Sequence, residues 1–414
     1  MLLKGRKKMK FIKIAIIVVL LVCFASCKDS NEPETLGYVV AIGIDEPEEG
    51  EEGYDITLQF ANPDKISGGS GEAGGDGGEG SIENITVPAP DIYSAINIAN
   101  HIISKKFVLS HTKLIVFSDE IAKKGIKNFL DSINRNPEIR PNIYFAVSKT
   151  SARAFLEAVN PKTEVNPVRY YTMLFENDYS GFIPQNMGQD FYLFYDSEEK
   201  SPVMPLCSIV NTEKGGDYPD YGYQYKVEDY TAGEIRENAG GVQIAGMALF
   251  RGDTKISETG DTKTEIFNLL TGEYQSSYVS YYFSKTPETP VTVMQTQKKR
   301  PKIAVSTKNS APKIVVTLFL EADISSSEEA FLIESDIEAF SLEAANALKE
   351  QATAFFVETK ALGVDIFGFG SYAKRNFATI DEFSAYNWKE AYKNAEFEIK
   401  VELSVKRTGL LVRG

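Results

Sequence analysis

Between the basic stretch MLLKGRKKMKFIK and Cys27 lie thirteen uncharged residues, IAIIVVLLVCFAS (14–26), and no later run in the 414-residue chain approaches them in apolar length. A bilayer span needs about 20 apolar residues, whereas a basic flank, a short apolar core and small residues before a cleavage point make a secretory signal. The junction Phe24-Ala25-Ser26-Cys27 resembles a lipobox, so residues 1–26 are expected to form a signal peptide and Cys27 to be the lipidation site. Cys23 is the poorer candidate, because Val22 before it is larger than such a cleavage prefers. The alternative is an uncleaved N-terminal anchor. Both place the body outside the cytoplasm and tether it to the membrane by its N-terminus, with translation starting at Met1 or Met9.

The body must then fold by ordinary apolar burial, without a covalent framework. Past Cys27 it holds only Cys207, which rules out an internal disulfide, and with His101 and His111 alone beside it there are too few ligands for a zinc site of Cys/His type. No loop follows the EF-hand pattern; no metal and no cofactor is expected, with a carboxylate-only Ca²⁺ or Mg²⁺ site as the open alternative. The net charge of -14 comes from 44 basic and 58 acidic residues; removing the six Lys/Arg of residues 1–26 leaves 38 against 58, or -20. Such acidity argues against nucleic acid as a partner. At 414 residues, two or three domains are expected.

Residues 36–45 (LGYVVAIGID) are β-rich, and residues 54–60 (YDITLQF) alternate with Ile56, Leu58 and Phe60 on one face, so the acidic turn between them predicts a hairpin. The loop 64–81, nearly all Gly and acid, has no Gly-Lys-Ser/Thr after it and would repel phosphate; it reads as a solvated linker. A strand at 81–88 precedes a helix capped by Asp91 and running to about 106, with Ile92, Ala95, Ile96, Ala99 and Ile103 on one stripe. A strand at 113–117, a helix capped by Ser118 and running to about 136, a strand at 142–147 and a helix over 152–158 follow. From 160 to 241 the pattern weakens, and tyrosines such as Tyr170, Tyr171, Tyr192, Tyr195 and Tyr221 stand among Gly, Pro and Asp. They read as rings pinning loops to a core, with a wall for a ligand or partner as the alternative.

Arg251-Gly252-Asp253-Thr254 reads as a hairpin turn rather than an adhesion motif. A short helix at 264–270 and strands at 277–283, 291–294, 302–306 and 313–322 come next. A capping box from Ser326 to Glu329 opens a long amphipathic helix through Phe340, Ala344, Leu348, Ala352 and Phe355 to Leu362, stopped by Gly363. Its outer face is acidic, which suits water better than anionic lipid. Residues 397–405 alternate cleanly as a last strand. The expected fold is α+β and multi-domain, with mixed sheets covered by helices, the long helix and a final antiparallel strand lying in the C-terminal domain. The expected division is an N-terminal domain over 27–205, a connecting region over 206–241 and a C-terminal domain over 242–414.

No catalytic constellation stands out. There is no Gly-x-Ser-x-Gly elbow, Cys207 has no histidine near it in sequence, and Gly368-Phe369-Gly370 lacks the third glycine of a dinucleotide turn and reads as a bend. Carboxylates are too many for one acid–base pair to be picked out.

Four collinear segments resemble the Ger(x)C family of spore germination lipoproteins: LGYVVAIGID with LQFANP, then HTKLIVFSDEIAKKGI and RNPEIRPNIYFAVSK, then GMALFRGDTKI with LLTGEY, and last DIFGFGSYAKR through FEIKVELSVKRTGLL. The chain departs from the family at Lys28-Asp29, where Trp-Asp is usual. The resemblance implies the C subunit of a nutrient germinant receptor, a three-domain α+β protein without known catalytic residues. It further implies integral-membrane A and B subunits as partners, a lipid anchor at Cys27, and a place on the outer face of the cytoplasmic membrane, the inner membrane of the spore. The competing readings are an extracytoplasmic solute-binding lipoprotein serving a transporter and a cell-surface hydrolase.

Overall fold

The computed structural model describes residues 35–407 apart from position 49 and segments 62–81, 161–163, 165, 177–180, 211–230, 234–240, 309–310 and 328–333. Cys27, the Gly-rich loop, Tyr221 and Glu329 of the expected capping box lie outside the described residues.

β1 (Leu36–Asp45) organises the first sheet. On one side it pairs antiparallel with β2 (Tyr54–Ala61), and β2 with β3 (Ile82–Ala89). On the other it runs parallel to β4 (Lys106–Val108) and then to β5 (Leu114–Ser118). β6 (Tyr144–Ser148) and β7 (Val203–Ile209) continue in parallel, and β8 (Val242–Arg251) with β9 (Thr254–Thr259) ends the sheet as an antiparallel hairpin. β1 is a near-continuous apolar run because helices bury both its faces. α1 (Ile92–Ile102), α2 (Asp119–Lys124), α3 (Lys127–Arg135) and, further along the chain, α6 (Gly188–Phe194) share one core with Ile42, Leu58 and Phe117. α4 (Ala152–Ala158) and α5 (Pro167–Phe175) share the opposite core with Val40, Leu114 and Val116. Gln59 points into that second core and is satisfied there: its Nε2 donates to the Leu156 carbonyl at 2.9 Å, and its Oε1 accepts from the Tyr171 hydroxyl. Tyr171 thus pins α5 to the sheet, while Tyr192 and Tyr195 pack partly buried against the first core.

The helix expected to run from Ser118 to about 136 is two. Gly125 ends α2 with φ 111°, and a Cβ there would stand 2.7 Å from the Asp253 carboxylate. Asp253, in the β8–β9 turn, accepts from the backbone N–H of Lys127 at 3.1 Å through its side chain and from Ile126 at 3.2 Å through its carbonyl. The Arg-Gly-Asp tripeptide therefore is a turn, and it serves as a long-range cap for α3. The helix capped by Asp91 stops at Ile102, and β4 begins where its last turn was expected.

The hairpin β8–β9, expected to open the C-terminal domain, extends the first sheet. β7 and β8 alternate between two cores: Met204, Leu206, Ala248 and Phe250 face the helices of the first unit, while Val203, Met247 and Leu249 face those of the second. A strand buried on both faces offers no period-2 signal to say which unit owns it.

The second sheet runs β10 (Ser276–Phe283), β11 (Thr286–Ser306), β12 (Lys313–Ser326), β13 (Glu396–Arg407). α7 (Asp261–Thr271), α8 (Glu334–Leu362), α9 (Phe369–Ala373), α10 (Ile380–Tyr386) and α11 (Trp388–Tyr392) complete this unit. The inner side chains of β12, Ile314, Val316, Leu318 and Leu320, meet Leu348, Ala352, Phe355 and Phe356 of α8. The two strands expected at 291–294 and 302–306 are one 21-residue strand, in which two register shifts between Gln297 and Lys302 absorb the polar run and Pro301. The final strand is parallel to β12, not antiparallel as expected. Alternation reports which face is buried and not strand direction. The direction follows from α8, 29 residues or about 44 Å long, which carries the chain back along the sheet so that β13 enters at the end where β12 began.

Candidate functional site

The connections after β5 and β6 leave toward opposite faces of the sheet, β5 into α2 and β6 into α4. In open α/β sheets the crevice beyond such strand ends is where ligands bind. On its β1 side the chain supplies its own anion. Asp45, at the end of β1, accepts from the backbone N–H of Ala152 at 2.7 Å and of Arg153 at 2.8 Å, while Ser151 Oγ accepts from Ala154 N–H at 3.0 Å. The first turn of α4, the natural seat of an anion, is thus occupied by the protein's own carboxylate. Burial raises the Asp45 carboxyl above its ordinary value, only partly offset by the two N–H donors.

Next to it, Asp119, Lys123, Lys149, Lys255, Ser257 and Glu258 line a cleft of about 350 Å³. Lys255 is buried on β9, and its ammonium joins Asp119 and, at 2.6 Å, Glu258. Lys149 reaches Glu258 at 3.1 Å and the Thr231 hydroxyl, and Lys123 reaches Asp119 at 2.5 Å. Burial pushes Asp119 and Glu258 up, but the lysines on each outweigh it and hold both carboxyls below their ordinary values. Both acids therefore stay ionised at neutral pH, and with the lysines on them they are weaker proton acceptors than free carboxylates. The ion pairs form the wall of the cleft and leave its volume open. What the arrangement does do is fasten β9 to the start of α2, where Asp119 also sits well in the helix dipole.

Replacing Lys255 by methionine is expected to destabilise the protein by about 2 kcal/mol at pH 7, less than a fully buried pair would cost because the two acids keep other lysines. The depressed carboxyls contribute stability above their unfolded values of 3.8 and 4.5, and lose it as pH falls through their folded values. The gap between wild type and variant should thus narrow below about pH 4. Urea denaturation across pH checks this; a gap independent of pH would mean that Lys255 acts through its packed stem and not its charge.

Other sequence candidates stay apart. Cys207 is fully buried in the α4–α5 core, where burial pushes its thiol far up, while His101 and His111 are exposed, the latter edge-on to Tyr38. Among the described residues, no group of three or more His, Cys, Asp or Glu is placed to hold a metal ion, and no helix is long and apolar enough to cross a membrane.

Gly368-Phe369-Gly370 is a bend built around Asp365. One Asp365 oxygen accepts from Gly368 N–H at 3.0 Å; the other accepts from Gly370 N–H at 2.8 Å and from Trp388 Nε1–H at 3.0 Å. The Asp365 carbonyl accepts from Ser201 N–H at 2.7 Å, and Glu199 receives Ser371 Oγ–H and Lys374 Nζ–H, so the segment leading into β7 is held on the second unit. Gly370 has no room for a Cβ, which would run into the Glu199 carbonyl and the Trp388 ring. Sequence reading identifies Gly368-Phe369-Gly370 as a bend but misses both Asp365 as its acceptor and the Lys255 cluster. The available signal was a lysine at an inward position of a strand and an aspartate three and five residues before glycines.

Two family models match in order along the body. "Spore germination protein N-terminal domain" covers residues 29–209, and "Spore germination B3/ GerAC like, C-terminal" covers 245–409. Spore germination protein KC of Bacillus subtilis (strain 168) is 24% identical over 407 residues, 96% of each chain. The putative spore germination protein YfkR of the same organism is 19% identical over 403 residues, spanning 96% of this chain and 97% of that one. The crystal structure of the GerBC protein superposes with a TM-score of 0.53 at 12% identity, over 90% of this chain and 99% of that one. With both halves of its body matched in sequence and 90% of its length matched in fold, the chain belongs to the Ger(x)C family of spore germination proteins.

Proposed function

We propose that this chain is the C subunit of a nutrient germinant receptor, lipid-anchored through Cys27 to the outer face of the cytoplasmic membrane, which in the spore is the inner membrane. In this reading it docks on integral-membrane A and B subunits and is not an enzyme. The observation that carries it is the pair of family models, N-terminal then C-terminal, running in order through residues 29–409. Two features add support: the lipobox-like junction ending at Cys27, and the anion seat at the first turn of α4, taken by the chain's own Asp45.

The test is dipicolinate release from spores lacking the gene, with a nutrient mixture and with a trigger that bypasses nutrient receptors. Nutrient-induced release is expected to slow at least tenfold, while the bypass response stays normal. Unimpaired release with nutrients, in a strain stripped of related receptors, would sink the reading. Cys27→Ser is expected to move the protein from the membrane fraction to the soluble one and to lower the nutrient response with it.

A further inference from the structure

In an acidic protein, the hairpin β11–β12 is an exception. Between Glu288 and Glu321 there is no Asp or Glu, but there are Lys298, Lys299, Arg300, Lys302, Lys308 and Lys313. All six are exposed. They run along the second half of β11, from its bulges to the hairpin tip, because the inward residues there, Ile303, Val305, Ile314 and Val316, face the core and leave the cations outside. The pairs they form are loose or wet: Lys298 with Glu321 at 3.0 Å, Lys313 with Glu398 at 3.0 Å, Arg300 with Glu273 at 3.9 Å. Lys302 and Lys308 form no ion pair among the described residues. Exposed pairs of this kind contribute little and exchange partners readily. β13 borders the patch with Glu396, Glu398 and Glu402, so the cationic surface is the tip and the part of β11 beyond its pairing with β10, not the whole sheet face.

From this placement we infer that the cationic end of the β11–β12 hairpin rests on anionic phospholipid headgroups. The inference depends on the proposed membrane tether, which holds the body beside a lipid surface. Several features suit headgroups better than a concave ligand site. Five of the six cations are lysines, mobile point charges on long stems, spread along a bulged strand and its turn. Each Lys or Arg within a Debye length of an anionic leaflet adds attraction, and six acting together are strongly salt-dependent. The contact would orient the tethered body, since the remaining surface is net negative and is repelled by the same lipids.

The test uses the full-length lipidated protein in phosphatidylcholine vesicles with and without phosphatidylglycerol. Flotation scores the tether, and amine-reactive labelling read by mass spectrometry scores the hairpin lysines against Lys389, which is exposed on α11. Labelling of Lys298 to Lys313 is expected to fall roughly threefold or more on the phosphatidylglycerol vesicles, to recover in 1 M salt, where the Debye length is about 3 Å, and to leave Lys389 unchanged. In the variant Lys298→Glu, Lys299→Glu, Lys302→Glu, Lys308→Glu, the protection of Lys313 should vanish. Equal labelling on both vesicles by floated protein overturns the inference. Protection seen only after the integral-membrane subunits are added overturns it too, and assigns the patch to an acidic protein. A chain that fails to float on phosphatidylcholine breaks the tether reading instead; the hairpin is then judged by whether phosphatidylglycerol alone brings about salt-reversible flotation.

Discussion

Asp365→Ala is expected to cost about 4 kcal/mol, enough to unfold the C-terminal unit at moderate urea. The substitution removes one small carboxylate and leaves three buried donors, Gly368 N–H, Gly370 N–H and Trp388 Nε1–H, without an acceptor. A charged acceptor contributes about 1.5–3 kcal/mol per hydrogen bond, and an orphaned buried donor costs on the order of 1–3 kcal/mol, so even partial relaxation leaves a large loss. Asp365→Asn should fall between: its amide oxygen can serve Gly370 and Trp388, but its NH₂ then opposes the Gly368 N–H. Chemical denaturation with Trp388 fluorescence as the probe is direct, because Trp388 is the single tryptophan of the chain. An alanine variant as stable as wild type would show that solvent replaces the carboxylate, and the joint would then not depend on it.

Glu265→Gln is expected to stabilise the protein at pH 8, by up to roughly 3 kcal/mol. Glu265 is buried on α7; its Oε1 accepts from Ser277 Oγ at 2.8 Å, with Tyr274 completing the cluster. Burial pushes its carboxyl up to about 7, neighbouring Asp261 pushes the same way, and the hydroxyls offset only part. A carboxyl raised in the fold contributes stability that is fully present below its unfolded value of 4.5 and is lost as pH rises through about 7. Asp365, raised by burial to about 6, behaves in the same sense but at lower pH. Between pH 6 and pH 8 wild type should therefore lose about 1 kcal/mol that the Gln variant keeps. Urea midpoints over that window decide; parallel curves for the two proteins would mean that Glu265 ionises freely in the fold.

Much of this was legible before the structure. Asp91 and Ser118 cap the helices assigned to them, since an N-cap is a local contract between a side chain and the next turn. The stripe Phe340–Ala344–Leu348–Ala352–Phe355 is buried along α8 as its spacing required. The misreadings come from long-range partners. Nothing near Gly125 announces that Asp253 will end one helix there and start another, and nothing within β13 says which way its neighbour runs. The Lys255 cluster was hidden for the same reason: Asp119, Lys149 and Glu258 are ordinary surface residues in sequence, and only the curl of β9 over α2 brings them to one ammonium.

The strands β8 and β9 carry a consequence for inheritance. The first family model ends at Ile209 and the second begins at Ala245, yet the hairpin of the second completes the sheet of the first. Ala248 and Phe250 sit under helices encoded before residue 195, and Asp253 caps one of them. Two paralogues recombined in the gap between those models would give a hybrid whose sheet ends in a foreign hairpin, with a mismatched core and an uncapped α3. A crossover placed after Thr259 keeps the whole first sheet, the core under α1–α3 and the Asp253 cap on one parental side, and leaves only the second face of β7 and β8 (Val203, Met247, Leu249) and the Asp365 joint to be matched; lineages of this family should have exchanged their C-terminal units at that junction rather than at the apparent module boundary.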